Sequence, residues 1–286
     1  MKKILVVGIK GMAGHLLFNY FKENNLYDTW GIARNITPQD KIFSIDVSDT
    51  DALSKIIKDY NFDYVVNCIG ILNKDAEDNP AKAIWFNSYF PHFLEDITKS
   101  TKTKIIHIST DCVFSGKESG NYTEDSIKNG LGFYAESKAL GELDNSKDIT
   151  IRTSIIGPEI NNNGIGLFHW FMSQPFDTKV NGYSKVFWSG ITTLELAKVI
   201  DDVIRNKVTG LKQISREKIS KFDLLRLFNE IFRNNQLQII ENEDYISDKS
   251  LVSIRNDYTY NVPSYKEMLN DMKKWLDNYQ NNYNYK

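Results

Sequence analysis

An apolar run, Ile4-Leu5-Val6-Val7, breaks into Gly8-Ile9-Lys10-Gly11-Met12-Ala13-Gly14 and then into a segment carrying Leu16, Leu17, Tyr20 and Phe21 along one side. A buried strand, a glycine-spaced turn and an amphipathic helix in that order leave few folds open. The first glycine permits the tight turn. The second lets the backbone approach a ligand, and the third lets helix and strand pack closely. Exposed N–H groups of the first helical turn, aided by the helix dipole, then favour an anion. The spacing therefore places a pyrophosphate, and with it a dinucleotide, at Gly8, Gly11, Met12 and Gly14.

The rhythm set by this opening continues. Strand patterns at 3–8, 29–33, 42–47, 64–69, 104–109 and 150–156 alternate with helical patterns at 11–23, 49–60, 80–99 and 132–143. Repeated βα units predict an α/β protein with a doubly wound parallel Rossmann sheet over residues 1–157. After Gly157-Pro158 the alternation fades. Residues 158–286 read as a smaller C-terminal α/β substrate-binding part, with an irregular or edge strand at 180–189, a short strand at 210–214 and helices at 193–205, 221–232 and 264–279. Some of these segments are expected to pack back on the Rossmann core. The Asn- and Tyr-rich end, 278–286, reads as a fraying helix end.

Composition narrows the partners. A net charge of -2 on 286 residues gives no reason to expect nucleic acid or an anionic membrane surface. No apolar run approaches the roughly 20 residues that span a bilayer, and 4–7 is too short for a signal-peptide core. A cytoplasmic protein is expected. Its two cysteines, Cys68 and Cys112, read as reduced buried thiols, and its four histidines are too scattered for a metal site.

The second strand decides the cofactor. Enzymes that prefer NAD usually carry an acid at its end, for the ribose hydroxyls. Here it ends Gly31-Ile32-Ala33-Arg34-Asn35. Arg34 offers a fork of donors to a 2′-phosphate, which favours NADP(H) over NAD. Asp46-Val47, ending the next strand, lies within reach of the adenine, and Cys68-Ile69-Gly70 ends the strand that passes the adenosine.

Reducing a ketone needs a hydride on carbon and a proton on oxygen. Tyr134 and Lys138 supply a donor for that proton. A phenol with a pKa near ~10 needs a nearby cation to work at neutral pH, and Lys138 lies on the same helical face. Thr110, after the strand that ends in Ser109, can donate a second hydrogen bond to the substrate oxygen. Tyr245 and Lys249 share the Tyr-x-x-x-Lys spacing but lie in a polar stretch with no such strand before them, so they are expected to be surface residues.

Several runs together carry a more specific likeness. The glycine spacing, Asn67-Cys68-Ile69-Gly70, Ser109-Thr110-Asp111-Cys112-Val113-Phe114-Ser115-Gly116 and the run from Tyr134 to Glu142 resemble the extended short-chain dehydrogenase/reductases. More narrowly they resemble the dTDP-4-dehydrorhamnose reductase family. Tyr122-Thr123-Glu124-Asp125, Arg152-Thr153-Ser154 and Thr193-Leu194-Glu195-Leu196-Ala197 are similar to its later landmarks. The resemblance implies Thr110, Tyr134 and Lys138 as the catalytic trio. It also implies an NADPH-dependent reduction of the 4-keto group of a nucleotide-linked 6-deoxyhexose, for deoxysugar and polysaccharide synthesis. A homodimer is among the assemblies it allows. Ser109, Tyr134 and Lys138 would also meet the cofactor. Asp111, Cys112, Val113 and Phe114 would line the substrate site. Beyond residue 157 the resemblance fixes little: Trp170, Phe171 and Trp188 are candidates to stack on a base or sugar, and Lys179, Lys185 and Arg255 to meet a diphosphate. Cys112 stands where the family usually has tyrosine, Met12-Ala13 where it has Gln-Leu, and Ala135 where it has glycine.

Two other readings stay open. A nucleotide-sugar epimerase or dehydratase can use the same Tyr and Lys with tightly held NAD. A non-catalytic cofactor-binding subunit, such as the regulatory subunit of methionine adenosyltransferase, shares the superfamily.

Overall fold

In a computed structural model, which describes residues 1–285, the first half follows the expected alternation. β1 (Lys3–Val7) leads through the glycine turn to α1 (Met12–Glu23), then β2 (Asp28–Ala33), β3 (Ile42–Ser44), α2 (Thr50–Tyr60) and β4 (Tyr64–Asn67). Beyond these come α3 (Asn73–Asp78), α4 (Pro80–Ala83), a π-helical turn at Ile84–Tyr89, α5 (Phe90–Thr98), β5 (Lys104–Ser109), α6 (Phe133–Leu140) and β6 (Ile149–Arg152). These strands and Gly210–Gln213 form a seven-stranded sheet. From one edge, Gly210–Gln213, the order runs β6, β5, β4, β1, β2, β3.

β1 pairs in parallel with both β2 and β4, and β4 with β5. All four residues of β4 are buried, as in a parallel sheet covered on both faces. Leu5, Val7 and Val65 meet Leu53 of α2 and Leu94 of α5 in one of its cores. From β1 the chain builds outward to β3, then returns to β4 on the other side of β1. That reversal is the switch point where such sheets bind ligands, and the glycine turn leaves β1 there.

The expected single helix over 80–99 is broken. Pro91 has no N–H to give the carbonyl of Asn87, and the turn there widens to π geometry. The widened turn seats the Asn87 side chain, which accepts from the Ile71 N–H at 2.8 Å and donates to the Ile71 carbonyl at 2.9 Å and Ser137 Oγ at 3.0 Å. A side chain on Gly141, after α6, would lie 1.8 Å from the Asn87 carbonyl oxygen, so that approach requires glycine.

The chain divides into two compact units. One comprises 1–109, 132–151 and 197–212; the other comprises 110–131, 152–196 and 213–286. The second has its own core, where Phe168, Phe171, Trp188, Phe228 and Leu269 are buried. The expected edge strand at 180–189 is two strands, Lys179–Tyr183 and Val186–Trp188, and the first pairs in parallel with Gln238–Asn242. The chain end is not a frayed helix. The Tyr285 hydroxyl accepts from the Glu159 N–H at 2.8 Å and meets His169 Nδ1 at 3.1 Å, and Tyr283 is buried; Lys286 lies outside the described residues.

Candidate active site

Each glycine of the first turn has a separate physical reason. Gly8 takes φ +94°, a conformation that side chains resist. A Cβ on Gly14 would sit 2.2 Å from the Gly8 carbonyl oxygen, so helix and strand could not pack. Gly11 is different: its nearest such contact is 3.4 Å, and the fold itself would tolerate a methyl group. A bare backbone at Gly11, with no side-chain cap on the helix that begins at Met12, suits the close approach of an anionic group. This turn fits a dinucleotide diphosphate.

Around it lie the adenosine-side candidates. Cys68 and Ile69 line the floor of the turn, with Cys68 Cβ 3.3 Å from the position of a Gly14 Cβ. Burial pushes the Cys68 thiol up to about 12, so it is an inert thiol. Gly70 continues the same chain toward Asn87. Arg34 stands exposed at the end of β2, 3.4 Å from Asp46. Asp46 also accepts from the Ser48 N–H and hydroxyl, which, with Arg34, hold its carboxyl below the usual range. Val47 beside it is buried.

Tyr134 and Lys138 are one turn apart on α6. Glu77 of α3 caps this helix, accepting from the N–H groups of Phe133 and Tyr134, each at 3.1 Å. Gly132, at φ +95°, makes room: a Cβ there would lie 2.7 Å from a Glu77 carboxylate oxygen. The Tyr134 ring packs with Ile71, Ala76 and Ala83. Lys138 is buried, and its ammonium nitrogen donates to the Ile108 carbonyl at 2.6 Å. Burial brings the lysine down to about 8, against an opposing pull from Glu142. Glu142 accepts from Ser109 Oγ at 2.7 Å. Behind Lys138 stands His107, wholly buried, with Nε2 at 3.3 Å from Nζ. Burial, and then the charge of Lys138, hold that imidazole well below its usual range.

In the second unit, Thr110 Oγ1 donates to Asp111 at 3.1 Å and accepts from the Cys112 N–H at 3.2 Å. Val113 and Phe114 are buried, with Phe114 stacked on Tyr122 at 4.3 Å and under the Arg152 guanidinium. These two are therefore packing residues of the loop and do not themselves line an open site. The Cys112 thiol is pushed up to about 11 by burial and by Asp111. Lys221, which nothing in the sequence singled out, joins this group. Lys221 is half-buried as a residue, its amine lies 5.2 Å from the Trp188 ring centre, and burial takes that amine down to about 8 against the pull of Asp111 and Cys112.

Lys185 instead pairs with Glu243 at 2.6 Å on a half-exposed surface. The Trp170 indole is 40% exposed and has no ring partner among the described residues. Tyr245 is exposed, with its ring against that of Tyr183. Among the described residues no group of acidic, His or Cys side chains could hold a metal ion, and no helix is long and apolar enough to cross a membrane.

The family described as RmlD substrate binding domain matches residues 1–179. A dTDP-4-dehydrorhamnose reductase of Aggregatibacter actinomycetemcomitans is 28% identical over 57% of this chain and 54% of its own length. Methionine adenosyltransferase 2 subunit beta of Bos taurus is 28% identical over 49% of this chain and 42% of its own. The chain thus spans about half the length of the curated relatives it matches. A dTDP-4-dehydrorhamnose reductase of Bacillus anthracis, solved in complex with NADP, superposes with a TM-score of 0.79 at 18% identity, over 96% of this chain and 99% of that one. That last likeness is one of fold, and it agrees with the doubly wound sheet read from the sequence. With a matching family model over more than half its length, this chain belongs to the RmlD substrate binding domain family of extended short-chain dehydrogenase/reductases.

Proposed function

We propose that the chain reduces the 4-keto group of a nucleotide-diphospho-6-deoxy-4-ketohexose with NADPH, making a deoxysugar donor. The observation that carries this reading is the buried Lys138 on a capped helix, one turn from Tyr134 and tied to the strand that leads into Thr110. NADPH, when bound, supplies the hydride to the carbonyl carbon.

The residues supply the rest. Tyr134 holds a proton on its hydroxyl for the developing alkoxide, and Lys138, when charged, favours the phenolate left behind. Thr110, on giving up its bond to Asp111, would donate a second hydrogen bond to the same oxygen. The backbone at Gly8, Gly11, Met12 and Gly14 would hold the diphosphate. Arg34 would exchange its long contact with Asp46 for the 2′-phosphate, and the NADP complex of the Bacillus anthracis neighbour suits that choice. Asp111, Cys112 and Lys221 would meet the sugar nucleotide. A cytoplasmic setting follows from such substrates.

The test is a screen of dTDP-, UDP-, GDP- and CDP-linked 4-keto-6-deoxy sugars with NADPH, read at the nicotinamide absorbance. Oxidation of NADPH with one of them is the expected result. NAD carried through purification, with no net oxidation, would point instead to an epimerase or dehydratase. The match to methionine adenosyltransferase 2 subunit beta favours one second reading, a cofactor-binding subunit without turnover. No turnover with any sugar, together with a stable complex with another enzyme, would establish that reading in place of the first.

A further inference from the structure

The contacts behind Lys138 fix where the protons are. Asn67, the last residue of β4, is wholly buried, and its Oδ1 accepts from the Ile69 N–H at 3.1 Å. The amide is therefore oriented with Nδ2 toward His107 Nδ1, 3.2 Å away. An amide nitrogen only donates, so Nδ1 must present its lone pair. A wholly buried imidazole next to a lysine is neutral, so its one proton is on Nε2. That N–H points at Lys138 Nζ, 3.3 Å away.

An ammonium group has three donors and no acceptor. It cannot take a hydrogen bond from Nε2–H. A neutral amine can, while one of its own N–H groups still serves the Ile108 carbonyl at 2.6 Å.

We propose that Asn67 and His107 form a tautomer lock on Lys138, positioning residues that favour its amine over its ammonium form in the cofactor-free chain and so help set the pH at which it gains its charge. The proposal rests on the reductase reading for its consequence in turnover, though not for the tautomer itself. Other ionisable groups around the lysine are few. Glu142, just past α6, pulls toward the charged form, and Tyr134 lies one turn back on the same helix. From α5, His92, paired with Glu95 at 3.1 Å, acts on His107. Burial is the largest influence against Glu142, and the lock adds to it. In turnover, where the lysine must carry charge, the rate should fall as pH rises through its titration.

Two measurements test this. In the wild-type protein without cofactor, nitrogen-15 NMR of the histidine rings at neutral pH should show His107 protonated at Nε2 and bare at Nδ1. A proton on Nδ1, or on both nitrogens, overturns the proposal whatever the protein turns out to catalyse. The second is Asn67→Asp, which puts an acceptor opposite Nδ1. The proton then moves to Nδ1, Nε2 becomes an acceptor for the ammonium, and the charged lysine is favoured. The alkaline fall in kcat/KM should move up by about one pH unit or more, a tenfold change in proton affinity. A merely structural role would lower the rate at every pH and leave the limb in place, and that outcome also sinks the idea. If Asn67→Asp does not fold, the wild-type ring spectrum decides alone. If no sugar nucleotide is turned over, the reductase reading fails while the tautomer result stands by itself.

Discussion

Lys138, in the first unit, and Lys221, in the second, both lose proton affinity to about 8 and are held in opposite ways. Lys138 is closed in, with a backbone carbonyl to donate to and an imidazole N–H in its face. Lys221 is half-buried, makes no hydrogen bond or ion pair among the described residues, and rests on the Trp188 ring with Asp111 and Cys112 near. In both, burial is the largest cause of the lowered affinity; the neighbours decide what each lysine can do with it. Lys138 has a fixed place beside Tyr134, where a change of charge acts on one chosen group. Lys221 has its ammonium against an aromatic face, with an acid and a thiol near, where no single group is singled out for its charge.

The largest test of that contrast is Tyr134→Phe. It removes the proton donor beside Lys138 and keeps the ring, so the rate should fall about 10²–10⁴-fold with cofactor still bound. Tyr245→Phe has the same sequence spacing before Lys249 but an exposed ring, and should stay within about twofold. Near-normal ketone reduction by Tyr134→Phe would remove Lys138 from the chemistry and leave the two lysines alike.

Stability against pH comes next. Folded Lys138 titrates near 8 and an unfolded lysine at 10.5, so between those values the unfolded chain binds more protons and stability rises with pH. Below about 8 the full cost is present. Each tenfold loss of proton affinity costs ~1.4 kcal/mol, so the total is about 3 kcal/mol at most, before lost hydrogen bonds of ~1 kcal/mol each are counted. Lys138→Met should therefore stabilise the chain by about 1–2 kcal/mol near neutral pH while abolishing turnover and weakening cofactor binding. Urea unfolding at about pH 7 and about pH 10.5 checks it, because the gain should vanish at the higher value. Lys221→Met should move in the same direction by less, since the residue as a whole is only half-buried where Lys138 is fully buried. If Lys221→Met gains the more, the contrast in burial between the two lysines is wrong.

The smallest effect concerns a cation that burial does not touch. Arg34 is exposed and already shares its charge with Asp46. Arg34→Ala should weaken NADPH binding by about 1.5 kcal/mol, the low end for a hydrogen bond to a charged group, and leave NADH little changed. Equal losses for both cofactors in a titration would assign Arg34 another role.

What could be read in the sequence divides along physical lines. Gly8, Gly14 and the Tyr134–Lys138 pair act through backbone angles and helical spacing, which are local and therefore written in adjacent residues. The doubly wound parallel sheet followed from the same alternation, though not the placing of Gly210–Gln213 at its edge. The residues left unread depend on partners far along the chain. Glu77 caps a helix 56 and 57 positions away, and Asn67 meets His107 across 40. Lys221 looks like any first residue of a helix after a Ser cap until Trp188 lies beneath it. The break in the 80–99 helix had a local sign in Pro91, but its reason, the seat for the Asn87 side chain, was tertiary. Lys185 shows the converse: a lysine in a promising stretch already had Glu243.

The sheet's far edge has a consequence for how such a protein can be divided. Gly210–Gln213 lies next to β6, although residues 153–196 of the second unit and the helix Thr193–Asn206 come between them in sequence. A polypeptide ending near residue 157 would keep every residue of the dinucleotide turn, Tyr134 and Lys138. It would also present β6 as a bare edge, a row of unpaired backbone donors and acceptors open to any strand. Inheritance of this cofactor module as a free-standing gene fragment is thus obstructed by one short strand, and recombination would have to carry the later segment along with it.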